Sequence, residues 1–211
     1  MKEPAVTTIA QWQAAWLALG ARADLALFAQ LCGCYTQRHR HYHTLRHLRE
    51  CLRNAAALAQ YADRPAEVAI AIALWFHDAI YDVTAHDSEA RSADWARASA
   101  IAAGLDEAVA ARLHRLILAT RHTGVPGDAD AQVLLDADLW ILGAPSRRFA
   151  QYEQQVRREY RHVPDAAYRH GRRQVLVSFQ DRAHIFNTPL LRAHCEAVAR
   201  ENLSRSIARL G

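Results

Sequence analysis

The sequence predicts an all-α fold, a single helical bundle of about nine helices. Three observations predict it. Apolar residues recur at spacings of three and four through most of the 211 residues. No segment sustains the two-residue alternation of a half-buried strand. Alanine is abundant, while glycine and proline number only 8 and 6, so helix formers dominate.

Thr7 or Thr8 can cap a first helix carrying Ile9, Trp12, Trp16 and Leu19 on one stripe, and Gly20 ends it. A second helix runs from about Asp24 to Cys34, with Leu25, Phe28, Leu31 and Cys32 inward. The segment from Tyr35 to His47 then packs four histidines and three arginines together. A long helix follows through Leu48, Cys51, Leu52, Ala55 and Leu58 to about Tyr61. Pro65 suits the first turn of the next helix, which runs to His77–Asp78. After a short loop, Asp87 or Ser88 caps a helix with Ala90, Ala93, Trp95, Ala98 and Ile101, stopped by Gly104. Asp106-Glu107 opens another, which ends at Arg121-His122-Thr123 before the loop Gly124-Val125-Pro126-Gly127. Val133 to Leu142 is an apolar segment with acids inside it, closed by Gly143 and Pro145. Ser146 starts an arginine-rich helix, Asp165 caps the next, and Thr188-Pro189 opens a last helix ending near Leu210. No repeat or linker divides the chain, so one domain over residues 1–211 is expected, with its core at about 35–145.

Hydrophobic residues make up 51% and charged residues 23%, a globular balance that excludes a disordered polypeptide. The formal net charge is +4, carried almost wholly by arginine, since Lys2 is the only lysine. No block of like charge forms a nucleic-acid-binding arm, so no nucleic-acid partner is expected. Cys32, Cys34, Cys51 and Cys195 match no zinc-ribbon or redox spacing and read as small buried hydrophobes in a reducing compartment. Met1-Lys2-Glu3-Pro4 does not open a signal peptide, and no apolar run approaches the ~18–20 residues that span a bilayer. A cytoplasmic protein with no membrane partner is expected.

The polar residues hardest to place lie in apolar surroundings. His77–Asp78 follows Leu74-Trp75-Phe76 and precedes Ala79-Ile80. An ionised Asp there needs a hydrogen-bonding partner, a counter-charge or a metal. Asp138 has a similar setting between Ala137 and Leu139-Trp140-Ile141. His43 and His47 are four apart, which on a helix puts them on one face, entering one pocket or facing solvent. A mixed set of histidines and carboxylates suits a borderline divalent metal, and one ion would satisfy all of these residues at once.

In the order His47, His77–Asp78, Asp138, these residues resemble the HD-domain superfamily of helical, metal-dependent phosphohydrolases. The runs Arg40-His41-Tyr42-His43-Thr44-Leu45-Arg46-His47-Leu48, Trp75-Phe76-His77-Asp78-Ala79-Ile80-Tyr81-Asp82 and Asp136-Ala137-Asp138-Leu139-Trp140-Ile141-Leu142-Gly143 are similar to one subgroup, the predicted metal-dependent HD phosphohydrolases. Val156-Arg157-Arg158-Glu159-Tyr160, Ile185-Phe186-Asn187-Thr188 and Glu196 with Ala199 to Leu203 extend the likeness, which covers about Trp12 to Leu203. Tyr42-His43-Thr44-Leu45-Arg46-His47 also resembles the Tyr-His-Asn-x-x-His pattern of cyclic-nucleotide phosphodiesterases, with Thr44 in place of Asn.

The resemblance implies roles. His47, His77, Asp78 and Asp138 would hold a divalent metal ion, with Mn, Fe, Co, Ni, Zn and Mg all open. His43 would be the general acid toward the leaving oxygen, and Asp82 would position water. His86 and His122 are candidates for a second metal or for phosphate, with Glu89 nearby. Arg40 and Arg46, with Arg38, are candidates to hold the phosphate of a small, nucleotide-like substrate. Arg157, Glu159 and Tyr160 would brace a helix or touch substrate. The implied activity is hydrolysis of a phosphate ester or anhydride. The alternative is a non-hydrolysing metal- and nucleotide-binding regulator on the same scaffold. In either case the four ligands should converge on one point.

Overall fold

A computed structural model describes residues 8–62, 67–124 and 126–211, and every regular element among them is helical. There are eleven α-helices, against the nine or so expected, and two 3-10 turns at Ala59–Tyr61 and Trp140–Gly143. The helices are α1 (Ile9–Ala18), α2 (Leu25–Cys34), α3 (Leu45–Leu58), α4 (Glu67–Phe76), α5 (Ser88–Ala102), α6 (Glu107–Ala119), α7 (Ala129–Leu139), α8 (Ser146–Glu159), α9 (Asp165–Gln180), α10 (Pro189–His194) and α11 (Glu196–Leu210). No described helix is long and apolar enough to cross a membrane. Thr7, Pro65 and Val125 fall outside the described residues.

One extra helix comes from a break at Cys195, where the expected last helix divides into α10 and α11. Neither Gly nor Pro marks that break. Gly143 packs against it: a Cβ there would lie 2.7 Å from the Cys195 Cβ, so only glycine lets the two segments approach this closely.

The chain divides into two compact units, one ending at Asp138 and the other spanning Leu139–Gly211, where the sequence suggested one domain. The boundary falls at the end of α7, inside helical chain, so no linker composition announces it.

In the first unit α4 is the core. Ile70, Ile72, Ala73, Leu74, Trp75 and Phe76 are all buried, as a helix apolar on every side requires. It packs against α1, α3, α5 and α6. Trp12 stands 5.3 Å from Trp75 and 5.3 Å from Trp16 in edge-on contacts, anchoring α1 to the core. Thr8 caps α1 through a capping box with Gln11, and Asp106 caps α6 by accepting from Val109 N at 2.8 Å. Thr44 caps α3 by accepting from Arg46 N. That cap corrects one expectation. His43 precedes the helix, so His43 and His47 do not share a helical face.

In the second unit α11 packs against α9, α10 and the Trp140–Gly143 turn. Glu196 accepts from the backbone N–H of Ile185 and Phe186, and Arg200 donates to the carbonyls of Gln180, Arg182 and Ala183. Arg157 donates to the carbonyls of Tyr160 and Val163 and stacks on the Tyr168 ring. These residues brace the loops after α8 and α9.

Candidate metal centre

Three segments of the first unit bring donors to one point. The first turn of α3 carries His47, and Cys51 follows one turn later on the same face. α4 stops at Phe76, and the turn beyond it holds His77 and Asp78. The last turn of α7 carries Asp138. Asn54, also on α3, donates to the Ala137 carbonyl at 3.0 Å and so ties that last turn to α3.

The distances are short. His47 Nε2 lies 3.2 Å from His77 Nε2, from Asp78 Oδ2 and from Asp138 Oδ1. His77 Nε2 lies 3.0 Å from Asp78 Oδ2 and 3.7 Å from Asp138 Oδ1. Two nitrogen or oxygen donors, each about 2.1 Å from a shared ion, stand about 3.0–3.4 Å apart at octahedral or tetrahedral angles. One ligating atom each from His47, Cys51, His77 and Asp138 lies within 4.8 Å of all the others, so this cluster can hold a metal ion.

Hydrogen bonding makes the same case. His77 Nδ1 donates to the Leu74 carbonyl at 2.8 Å, which leaves the lone pair of a neutral ring on Nε2, facing the cluster. Asp78 Oδ2 is buried and receives no aligned hydrogen bond, although two imidazole nitrogens lie within 3.2 Å of it. A lone pair and two carboxylates aimed at one point need positive charge. The imidazoles are 2% and 1% exposed, whereas the side chains of Asp78 and Asp138 keep 18% and 15%, so the cluster opens to solvent on its carboxylate side.

With protons as the only positive charge, the histidines carry it. Burial works against a cation on His47, yet Cys51, Tyr42 and the nearby carboxylates outweigh it and hold its pKa well above the usual value. His77 is raised in the same way against burial, chiefly by Asp78 and Tyr35. Burial works against ionised Asp78, but His77 and His43 outweigh it and hold the carboxyl well below the usual range. Asp138 is also held low against burial, first by its hydrogen bond from His122. A metal ion competes with protons for the same nitrogens.

Supporting residues surround the cluster. His122, at φ 55°, ends the turn after α6 and lies 3.1 Å through Nε2 from Asp138 Oδ2. It therefore holds the outer oxygen of Asp138 while Oδ1 faces the cluster, rather than standing apart as a second site. His43 is half-buried at the edge, with its ring 5.5 Å from that of His47 and 4.2 Å from that of Tyr81.

Four expected site residues are placed elsewhere. Arg40 is 4% exposed and donates to the carbonyls of His43 at 3.2 Å, Asp78 at 2.6 Å and Ala79 at 2.9 Å, and to Gln37 Oε1 at 3.1 Å. Four of its five N–H donors are thus spent inside the protein, so Arg40 clamps the His77–Ala79 turn and is not free for phosphate. Its guanidinium stacks 5.3 Å from the rings of Tyr35 and Tyr81. Asp82 is exposed, and its Oδ1 accepts from Thr84 N at 2.9 Å and Thr84 Oγ1 at 2.7 Å, so it shapes its own loop. Those hydrogen bonds hold its carboxyl below the usual range. His86 is exposed in the same loop and contributes no atom to the cluster. Arg46 is exposed and pairs with Glu50 at 3.0 Å.

Cys51 is the residue the sequence reading missed. By exposure it is the buried small hydrophobe that the sequence suggests, at 1%. The available signal was its position four after His47, the same spacing that had drawn attention to His43. Burial pushes its thiol pKa up.

Comparison of the chain with protein-family models, with curated proteins and with solved structures returns no match.

Proposed function

We propose that the protein is a metal-dependent phosphohydrolase that cleaves a phosphate ester or anhydride of a small, nucleotide-like molecule. One observation carries the reading: His47, His77, Asp78 and Asp138 converge at 3.0–3.7 Å, with Asp78 Oδ2 buried and lacking an aligned donor. The identity of the reaction rests on the resemblance in residue order and flanking sequence, not on the cluster alone.

In this reading His47, His77 and Asp138 hold a divalent ion, with Asp78 beside them. Such an ion acidifies water and neutralises phosphoryl charge. The chain does the rest. The Leu74 carbonyl fixes the His77 tautomer, and His122 fixes the face that Asp138 turns inward. Arg40 holds the turn that carries Asp78. His43, half-buried at the edge beside Tyr81, is the group to protonate the leaving oxygen. Phosphate has no contact from Arg40, so its charge is met at the ion and by exposed groups such as Arg46. Four free cysteines fit a cytoplasmic location.

The test is turnover. Purified protein is loaded in turn with Mn, Fe, Co, Ni, Zn and Mg and offered phosphomonoesters, phosphodiesters and nucleotides. Hydrolysis is expected with at least one ion, falling by at least about 100-fold in Asp78→Ala, since even outer-shell partners are worth 10–100-fold. No cleavage in any class, or full activity in Asp78→Ala, overturns the reading. Tight nucleotide binding without turnover would replace it with the regulatory one.

A further inference from the structure

We infer that Cys51 is a thiolate donor to the ion held by His47, His77 and Asp138, and that the site therefore takes zinc, cobalt or ferrous iron in preference to magnesium. The inference rests on the metal-dependent reading above and adds to it the class of ion.

The sulfur lies within reach of the ion's place, its Sγ within 4.8 Å of a donor atom from each of His47, His77 and Asp138. Cys51 Sγ lies 3.6 Å from both ring nitrogens of His47 and 3.9 Å from Asp138 Oδ1. Sulfur about 2.3 Å and nitrogen about 2.0–2.1 Å from one tetrahedral ion stand about 3.6 Å apart, the separation Sγ keeps from His47 Nε2; at 3.6 Å from Nδ1 as well it rests against the ring, and it turns toward Nε2 to take the ion. The i, i+4 step along α3 points both side chains at the same spot. A buried cysteine that served only to fill space would sit among apolar groups. This one faces an imidazole and a carboxylate.

The donor set then decides the ion. Two imidazoles with Asp78 and Asp138 alone make a nitrogen and oxygen site that manganese or magnesium also accepts. A thiolate added to it moves preference to softer ions. As the sulfur binds, the thiol proton leaves to solvent. Asp78 Oδ2, at 3.0 Å from His77 Nε2 and 3.2 Å from His47 Nε2, remains a buried oxygen beside the two imidazoles. Cys32 and Cys34 lie on α2, and Cys195 lies in the other unit, which leaves Cys51 as the sulfur for this cluster among the described residues.

Cobalt provides the test, because its spectrum reports sulfur ligation without any enzymatic assay. The full-length protein is loaded with cobalt and its absorbance recorded. A near-ultraviolet sulfur-to-cobalt charge-transfer band beside the visible d–d bands is expected. The band should persist when Cys32, Cys34 and Cys195 are all replaced by serine. It should vanish in Cys51→Ser while the d–d bands remain. Chelator competition should show zinc affinity at least about tenfold weaker in Cys51→Ser, the lower bound for a neighbour of a metal site. Bound cobalt without the charge-transfer band overturns the assignment of Cys51 and leaves the metal reading standing. A band that survives in Cys51→Ser does the same. Failure of the wild type to bind cobalt or zinc at all overturns the metal reading and this inference with it. Should Cys51→Ser not fold, the wild-type and triple-serine spectra decide the matter.

Discussion

In the Leu139–Gly211 unit, Arg172 donates to Glu153 and to the Tyr152 hydroxyl, and the other Glu153 oxygen accepts from Ser206 at 2.6 Å. Asn202 donates at 2.8 Å to the carbonyls of both Leu142 and Ala144. Opposite charges meet there, with only Arg172 Nε and Gln180 Oε1 buried without a partner among that unit's described side chains. In the unit ending at Asp138, two imidazole nitrogens and two carboxylate oxygens crowd within 3.0–3.7 Å, and Asp78 Oδ2 still has no aligned donor. Both regions bury polar groups in a helical core, but the first pairs one arginine with one glutamate, whereas the second crowds two imidazoles and two carboxylates onto one point. The first network fixes helices to each other. The second, kept in place by Arg40, Asn54, His122 and the Leu74 carbonyl, could hold a metal ion.

The comparison can be broken by asking whether metal changes the cost of a substitution. The largest effect is expected for Arg172→Met, which strands Glu153: a loss of about 3–5 kcal/mol, equal with and without metal, read by chemical denaturation. Next is Asp78→Asn. Wild-type protein should gain about 2.7 kcal/mol of stability when free metal is 100 times Kd. The variant should gain less than half of that at the same metal concentration, measured in the same assay. Equal responses from Arg172→Met and Asp78→Asn would erase the distinction between the two regions.

Smaller changes sharpen it. Arg40→Met leaves three carbonyls without their donor and should cost about 1–3 kcal/mol in metal-free protein. It should also weaken metal binding, seen by chelator competition, because the turn that carries Asp78 loosens. An effect on KM with stability unchanged would return Arg40 to the substrate. The smallest effect is expected for Arg46→Ala. Its ion pair with Glu50 is exposed, so stability should move by less than about 0.5 kcal/mol. A rise in KM at constant kcat would show that Arg46 meets the phosphate.

The helical class was legible because apolar spacing and caps are local. Thr8 caps the helix expected of it, Asp24 and Asp106 cap the helices expected to begin near them, and Asp165 lies inside its helix rather than capping it. The break at Cys195 was not legible, because neither Gly nor Pro marks it, and its close contact with Gly143 lies far away in sequence. His47, His77, Asp78 and Asp138 stood out as polar residues in apolar runs, and they do come together. Asp82 and His86 were chosen for nearness in sequence to His77–Asp78, and nearness in sequence did not aim them inward.

Residue order and burial pattern by themselves determined the all-α class, the apolar α4 core and the candidate donors His47, His77, Asp78 and Asp138. Tertiary structure alone decided that the donors converge, that His43 lies off the helix, that Arg40 is spent on carbonyls and that Cys51 joins the cluster. The reason is separation along the chain. His47 meets His77 across 30 residues, and Cys51 meets Asp138 across 87. Spacing sets which face of its own helix a side chain occupies, but only the packing of α3, α4 and α7 sets what that face looks at.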